Sequence, residues 1–128
     1  MLDVRRAVRA FPPTGYSDLR SQVTRAAESI AHNIVEGCAS ASRKEFAHHL
    51  NVSIKSTSEV DYQLQLARDY GILPYDIWRS LAREVVEIRK MLTALRRTVV
   101  QTAEAKAPQP AEPMAPNLAM PEETEPDA

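Results

Sequence analysis

Residues 16–73 read YSDLRSQVTRAAESIAHNIVEGCASASRKEFAHHLNVSIKSTSEVDYQLQLARDYGIL, and their spacing decides the fold. Leu19, Val23, Ala26, Ile30 and Ile34 step by three or four, which puts them on one face of a helix. Ser17 is placed to cap its start, Asp18 stands favourably against the helix dipole, and Gly37 is placed as the C′ residue that ends it. After the turn Glu36–Ala41, Ser42-Arg43-Lys44-Glu45 has the capping-box spacing of a Ser with a Glu three residues on. The helix it opens carries the seam Phe46, Leu50, Ser53, Thr57, Val60, Leu64 and Ala67, and is predicted to run to Tyr70 and stop at Gly71. Ser53 and Thr57 thin the middle of that seam. Small residues there let another helix approach closely, and their hydroxyls can bond back to their own helix.

Outward from this stretch the pattern continues. A first helix over about residues 2–10 ends at Phe11-Pro12-Pro13, because proline disfavours helix at the residue before it. A fourth starts at Pro74, a good first-turn residue. Its seam Trp78, Leu81, Val85, Ile88, Leu92, Leu95 and Val99 alternates steps of three and four over three heptads. A seam that long favours near-parallel packing at roughly 20° crossings. The expected architecture is all-α, an antiparallel up-down four-helix bundle with a short first helix, formed by residues 1–106. Beyond Lys106 the composition turns to Pro, Ala and Glu, so residues 107–128 are expected to be a disordered acidic tail. Within it, Met114, Leu118 and Met120 read either as a short docking motif or as plain tail.

Composition narrows the function. At 128 residues and 44% hydrophobic content the chain suits one core, and three glycines with few aromatics argue against a sheet. The net charge of −1 conceals an asymmetry: residues 1–106 hold all 16 Lys and Arg against 12 acids, while residues 107–128 hold five acids and no base. A body of +4 with an acidic tail is compatible with polyanion binding. Cys38 is the only cysteine, which rules out an intrachain disulfide and suits a reducing cytoplasm. No apolar run approaches the ~20 residues needed to span a bilayer, and Met1–Arg6 lacks the apolar core of a secretion signal. The expectation is a soluble cytoplasmic protein with no membrane role.

The most specific box is Ser29-Ile30-Ala31-His32-Asn33-Ile34-Val35-Glu36-Gly37, preceded by Gln22-Val23-Thr24-Arg25-Ala26-Ala27. It is followed by Lys44-Glu45-Phe46, Ser56-x-x-Glu59 and Gln63-Leu64-x-Leu66-Ala67. Together these resemble the bacterial four-helix-bundle family of 23S rRNA intervening-sequence proteins, over roughly residues 10–100. Ala31 stands where that family usually has proline, His32 where it has alanine, and Thr24 replaces one arginine of a usual pair. The family has relatives among the accessory (Avd-like) proteins of diversity-generating retroelements. Its members usually place about two more helical turns before the Phe-Pro, so either this bundle has one short helix or the true start lies upstream of Met1. The resemblance implies a ring-shaped homopentamer that binds and assembles rather than turning over a substrate.

Candidate binding residues follow. Arg79, Arg83, Lys90 and Arg97 fall within about 40° on the helix wheel, opposite the apolar seam. Glu87 can pair with Arg83 and blunt the stripe. A solvated face and a nucleic-acid or acidic-partner surface both fit. Arg20 and Arg25 add to the basic count, and Arg25 matches an arginine of the family. Asn33, Glu36, Gly37 and Glu59 read as structural or interface residues, with Asn33 and Glu36 bonding a neighbouring loop or subunit and Glu59 a partner helix. His32, Cys38, His48 and His49 have no metal-ligand spacing, and nothing supplies an oxyanion hole or a Gly-rich phosphate loop. No cofactor and no enzyme activity are expected. The expected function is an oligomeric accessory protein binding structured RNA or other nucleic acid, with a nucleic-acid enzyme such as a reverse transcriptase as a further partner by analogy with the retroelement relatives. The alternative is a self-assembling protein scaffold with no nucleic-acid role.

Overall fold

The computed structural model describes residues 3–106, with the side chains of residues 3–104, and is all helical over that span: α1 (Val4–Ala10), α2 (Ser17–Cys38), α3 (Arg43–Asp69) and α4 (Tyr75–Lys106). The acidic segment 107–128, expected to be disordered, lies outside the described residues, as do Met1 and Leu2.

Local chemistry sets most of the boundaries. Ser42 is extended (φ −138°, ψ 158°) and its Oγ accepts the Glu45 N–H at 3.1 Å. The Glu45 carboxylate in turn accepts from the Ala41 N–H at 3.2 Å, so the box closes one residue upstream of its usual target. The other end of α3 is a Schellman turn. Gly71 takes φ +75°, its N–H reaches the Arg68 carbonyl at 2.9 Å, and the Ile72 N–H reaches that of Ala67 at 3.0 Å. Pro74 sits one residue before α4, and its carbonyl accepts the Trp78 N–H at 2.9 Å.

Two expected caps are corrected. Ser17 is already helical; the cap position belongs to Tyr16, in the left-handed region at φ 58° after Gly15 at φ +86°. Gly37 does not end α2 as a C′ residue. It is buried inside the last turn, where a Cβ would meet Phe46 Cδ1 at 2.8 Å and His49 Cβ at 3.2 Å. The glycine is there so that α3 can lie against the end of α2.

The helices form a square in which α3 packs on both α2 and α4, and α1 bridges α2 and α4 on the opposite side. Neighbours are antiparallel: Ser53 of α3 bonds Ile30 of α2, while His49, nearer the start of α3, bonds Asn33 farther along α2. The core is the α2 and α3 seams meeting Leu81, Val85, Leu92 and Val99 of α4, with Val4, Ala7 and Phe11 closing the bottom. At 22 and 32 residues against seven, α2 and α4 outrun α1. Leu95, expected in the seam, is therefore 41% exposed, and Met91 is 64% exposed. Both lie within about 60° on the α4 wheel of Ser80, the residue that Arg6 of α1 reaches at 3.2 Å. They stand farther along α4 than that contact, on the same flank.

Candidate nucleic-acid interface

α4 positions the cations. Arg79, Arg83, Lys90 and Arg97 are all exposed, on the side of α4 away from buried Leu81, Val85 and Val99. At ~1.5 Å per residue, Arg79 and Arg97 are about 27 Å apart along the axis. Among the described residues the ion pairs are Arg5–Asp3 at 3.5 Å and Arg68–Asp69 at 3.1 Å. The Arg83–Glu87 pair that the spacing allows is not formed, so the four cations present their charge to solvent. Arg96, half-buried beside them, has its Nε enclosed without a partner among the described residues. With Arg97, Asn51 and Ile54 it lines a shallow hollow between α3 and α4 of about 500 Å³.

The other two arginines are used differently. Arg20 does not join the stripe: its guanidinium donates to the Pro12 and Gly15 carbonyls and lies 5.8 Å from the Phe11 ring centre. It clamps the loop between α1 and α2, because that loop turns its carbonyls back toward the first turn of α2. Arg25 is exposed, donates to Ser21 Oγ one turn back, and shares a small hollow across α2 and α3 with Glu59 and Gln63.

The family-like box builds a polar ladder inside the α2–α3 contact. Ser56 Oγ donates to Ser29 Oγ at 2.9 Å, and Asn33 Nδ2 donates to Ser29 O and Oγ at 2.9 and 3.1 Å. With its amide nitrogen spent there, Asn33 offers Oδ1 to His49 Nδ1 at 3.1 Å, which puts the His49 proton on Nδ1. Ser53, fully buried, donates to the Ile30 carbonyl at 2.9 Å. Ser53 and Ser56 are buried, so these bonds satisfy hydroxyls that would otherwise be unpaired away from water. Glu36 and Glu59 stand outside the ladder, exposed: Ser40 Oγ takes the Glu36 backbone carbonyl at 3.0 Å, and Ser56 turns to Ser29 rather than to Glu59.

Sequence reasoning missed an aromatic cluster at the end of the bundle where α2 and α4 begin and α3 ends. Tyr16 and Tyr70 ring centres are 6.0 Å apart, those of Tyr75 and Trp78 are 5.5 Å apart, and the Arg68 guanidinium lies 4.3 Å over Trp78. The available signal was spacing: Tyr75, Arg79 and Arg83 follow one another by four. Among the described residues no group of three or more His, Cys, Asp or Glu is placed to hold a metal, and no helix is long and apolar enough to cross a membrane.

The family model described as 23S rRNA-intervening sequence protein matches residues 1–94, which takes in α1 to α3 and most of α4. A comparison with curated proteins finds no match.

Proposed function

The chain belongs to the 23S rRNA-intervening sequence protein family, and from that premise we propose that it is a non-enzymatic accessory protein that self-associates and binds structured RNA through the exposed face of α4. The observation that carries the reading is the set of four exposed cations on one face of α4 with no carboxylate partner among the described residues. Cations without ion pairs spread over about 27 Å suit a row of phosphates. Self-association is supported by Met91 and Leu95 of α4 and Val35 of α2, large apolar side chains that are exposed. A ring of five, the assembly the resemblance implies, would multiply the +4 of residues 1–106. The same surface suits presenting RNA to a nucleic-acid enzyme such as a reverse transcriptase.

The test is fluorescence anisotropy of a labelled structured RNA over a salt series. Four phosphate contacts at ~0.7–0.9 counterions each give a log–log slope of about −3, hence roughly a 60-fold loss between 50 and 200 mM salt. Combining Arg79→Glu, Arg83→Glu and Arg97→Glu should abolish binding while leaving helicity and melting unchanged. Unchanged binding refutes the α4 face. No binding by the native chain at low salt leaves a protein scaffold as the better reading.

A further inference from the structure

Three tyrosines at one end of this bundle are largely exposed, Tyr75 most of all at 62%. Beside Tyr75, an open, shallow hollow of about 570 Å³ runs along one face of α4, lined by Trp78, Ala82 and Val86 together with the charged Arg79, Arg83 and Glu87. The aromatic and aliphatic side chains give this face an apolar strip beside its two cations. These cations make no ion pair among the described residues. A ligand suited to this place has flat apolar faces and negative charge at fixed intervals along one edge.

We propose that this hollow is a subsite for unpaired nucleotides, in which Tyr75 stacks a base and Arg79 and Arg83 take the flanking phosphates. The assignment rests on the RNA-binding reading above and adds to it, because a duplex offers phosphates to the stripe but no free base face to Tyr75. Base–aromatic stacking tolerates any sequence, since every base has a π-face. One turn of α4 separates Tyr75 from Arg79, and another separates Arg79 from Arg83, so the strand runs from the aromatic end onto the stripe. Trp78 is held between Arg68 and Tyr75 and acts as the wall of the site.

The experiment compares two labelled RNAs on the full chain: a blunt hairpin whose strands are joined by a polyethylene-glycol linker, so that it has no unpaired nucleotide, and the same hairpin with eight unpaired adenosines at its open end. The extension should tighten binding by about 5- to 150-fold, the range that one stacked base gives. Tyr75→Ala should remove that advantage and leave the blunt hairpin's affinity in place, while Tyr75→Phe keeps it. Trp78 is the only tryptophan, so its emission should be quenched by the extended hairpin and not by the blunt one. Equal affinity for the two RNAs with unchanged Trp78 emission overturns the subsite while leaving the RNA-binding reading standing, and points to the aromatic end as a protein-docking surface. Absence of binding to either RNA overturns both.

Discussion

Replacing Gly37 by alanine tests the packing of α2 on α3. The residue lies in the last turn of α2, where exchanging glycine for alanine alone should stabilise by at most about 1 kcal/mol. Against that, the new Cβ would stand 2.8 Å from Phe46 Cδ1 and 3.2 Å from His49 Cβ. The Phe46 ring can swing, since the residue is half-buried, but His49 Cβ is fixed to the α3 backbone. Overpacking of this kind costs ~1–3 kcal/mol, so the net change should be a loss of about 1 kcal/mol. For a body of this size that lowers the melting temperature by about 4–8 °C. The control is Gly37→Ala in a Phe46→Ala background. There the first contact is gone and the substitution should turn neutral or stabilising, a coupling of about 1 kcal/mol between the two positions. Differential scanning calorimetry of the four proteins closes the cycle. Stabilisation by Gly37→Ala alone would refute the contact. A loss that Phe46→Ala does not relieve would place the cost on the fixed His49 Cβ contact instead.

Three further outcomes are expected. Arg20→Met removes the clamp on the Pro12 and Gly15 carbonyls and should cost about 1–2 kcal/mol in denaturant unfolding, with RNA affinity unchanged; an affinity loss like that of Arg79→Glu would put Arg20 back in the interface. Deleting residues 107–128 removes five carboxylates and should leave RNA affinity equal or higher at low salt, whereas a fall in anisotropy titrations would show the segment contributing to binding. Met91→Glu with Leu95→Glu places two charges on the uncovered flank of α4 and should shift the mass by light scattering toward the monomer with helicity retained; an unchanged mass would move the interface elsewhere.

What was legible in the sequence was what local chemistry decides. Ser42 with Glu45, and Gly71 after Asp69, are read from a few adjacent residues, and the structure forms both caps from those residues. Gly37 was not legible, because glycine at a helix end serves a left-handed cap or a close approach equally well, and only the position of Phe46 chooses. Arg20 shows the same limit for charge. A guanidinium on an amphipathic helix reads as surface potential until a neighbouring loop is seen to turn two carbonyls toward it. Leu95 fits the heptad as well as Leu92 does, yet burial also requires a helix opposite, and the seven-residue α1 does not supply one. The aromatic end escaped because Tyr16 and Tyr70 cap two different helices and meet only through the antiparallel topology, and Arg68 reaches Trp78 from the end of α3 in the same way.

The two surfaces of α4 can serve the proposed function together because they face apart. On the helix wheel Met91 lies about 100° from Lys90, and Leu95 about 160° from Arg97. A copy packed over the apolar flank therefore leaves the basic face uncovered. The polar ladder keeps the two in register. Ser53 and Ser56 bond to the backbone or hydroxyls of Ile30 and Ser29, and a slide of one helical turn between α2 and α3 would leave those groups buried and unpaired. Each unpaired group would cost ~1–3 kcal/mol, more than a uniform leucine seam would charge for the same slide. On the proposed reading, the family-like box does not touch RNA at all. It holds α3 in one position, and α3 holds α4, so that association on one flank aligns the cations on the other.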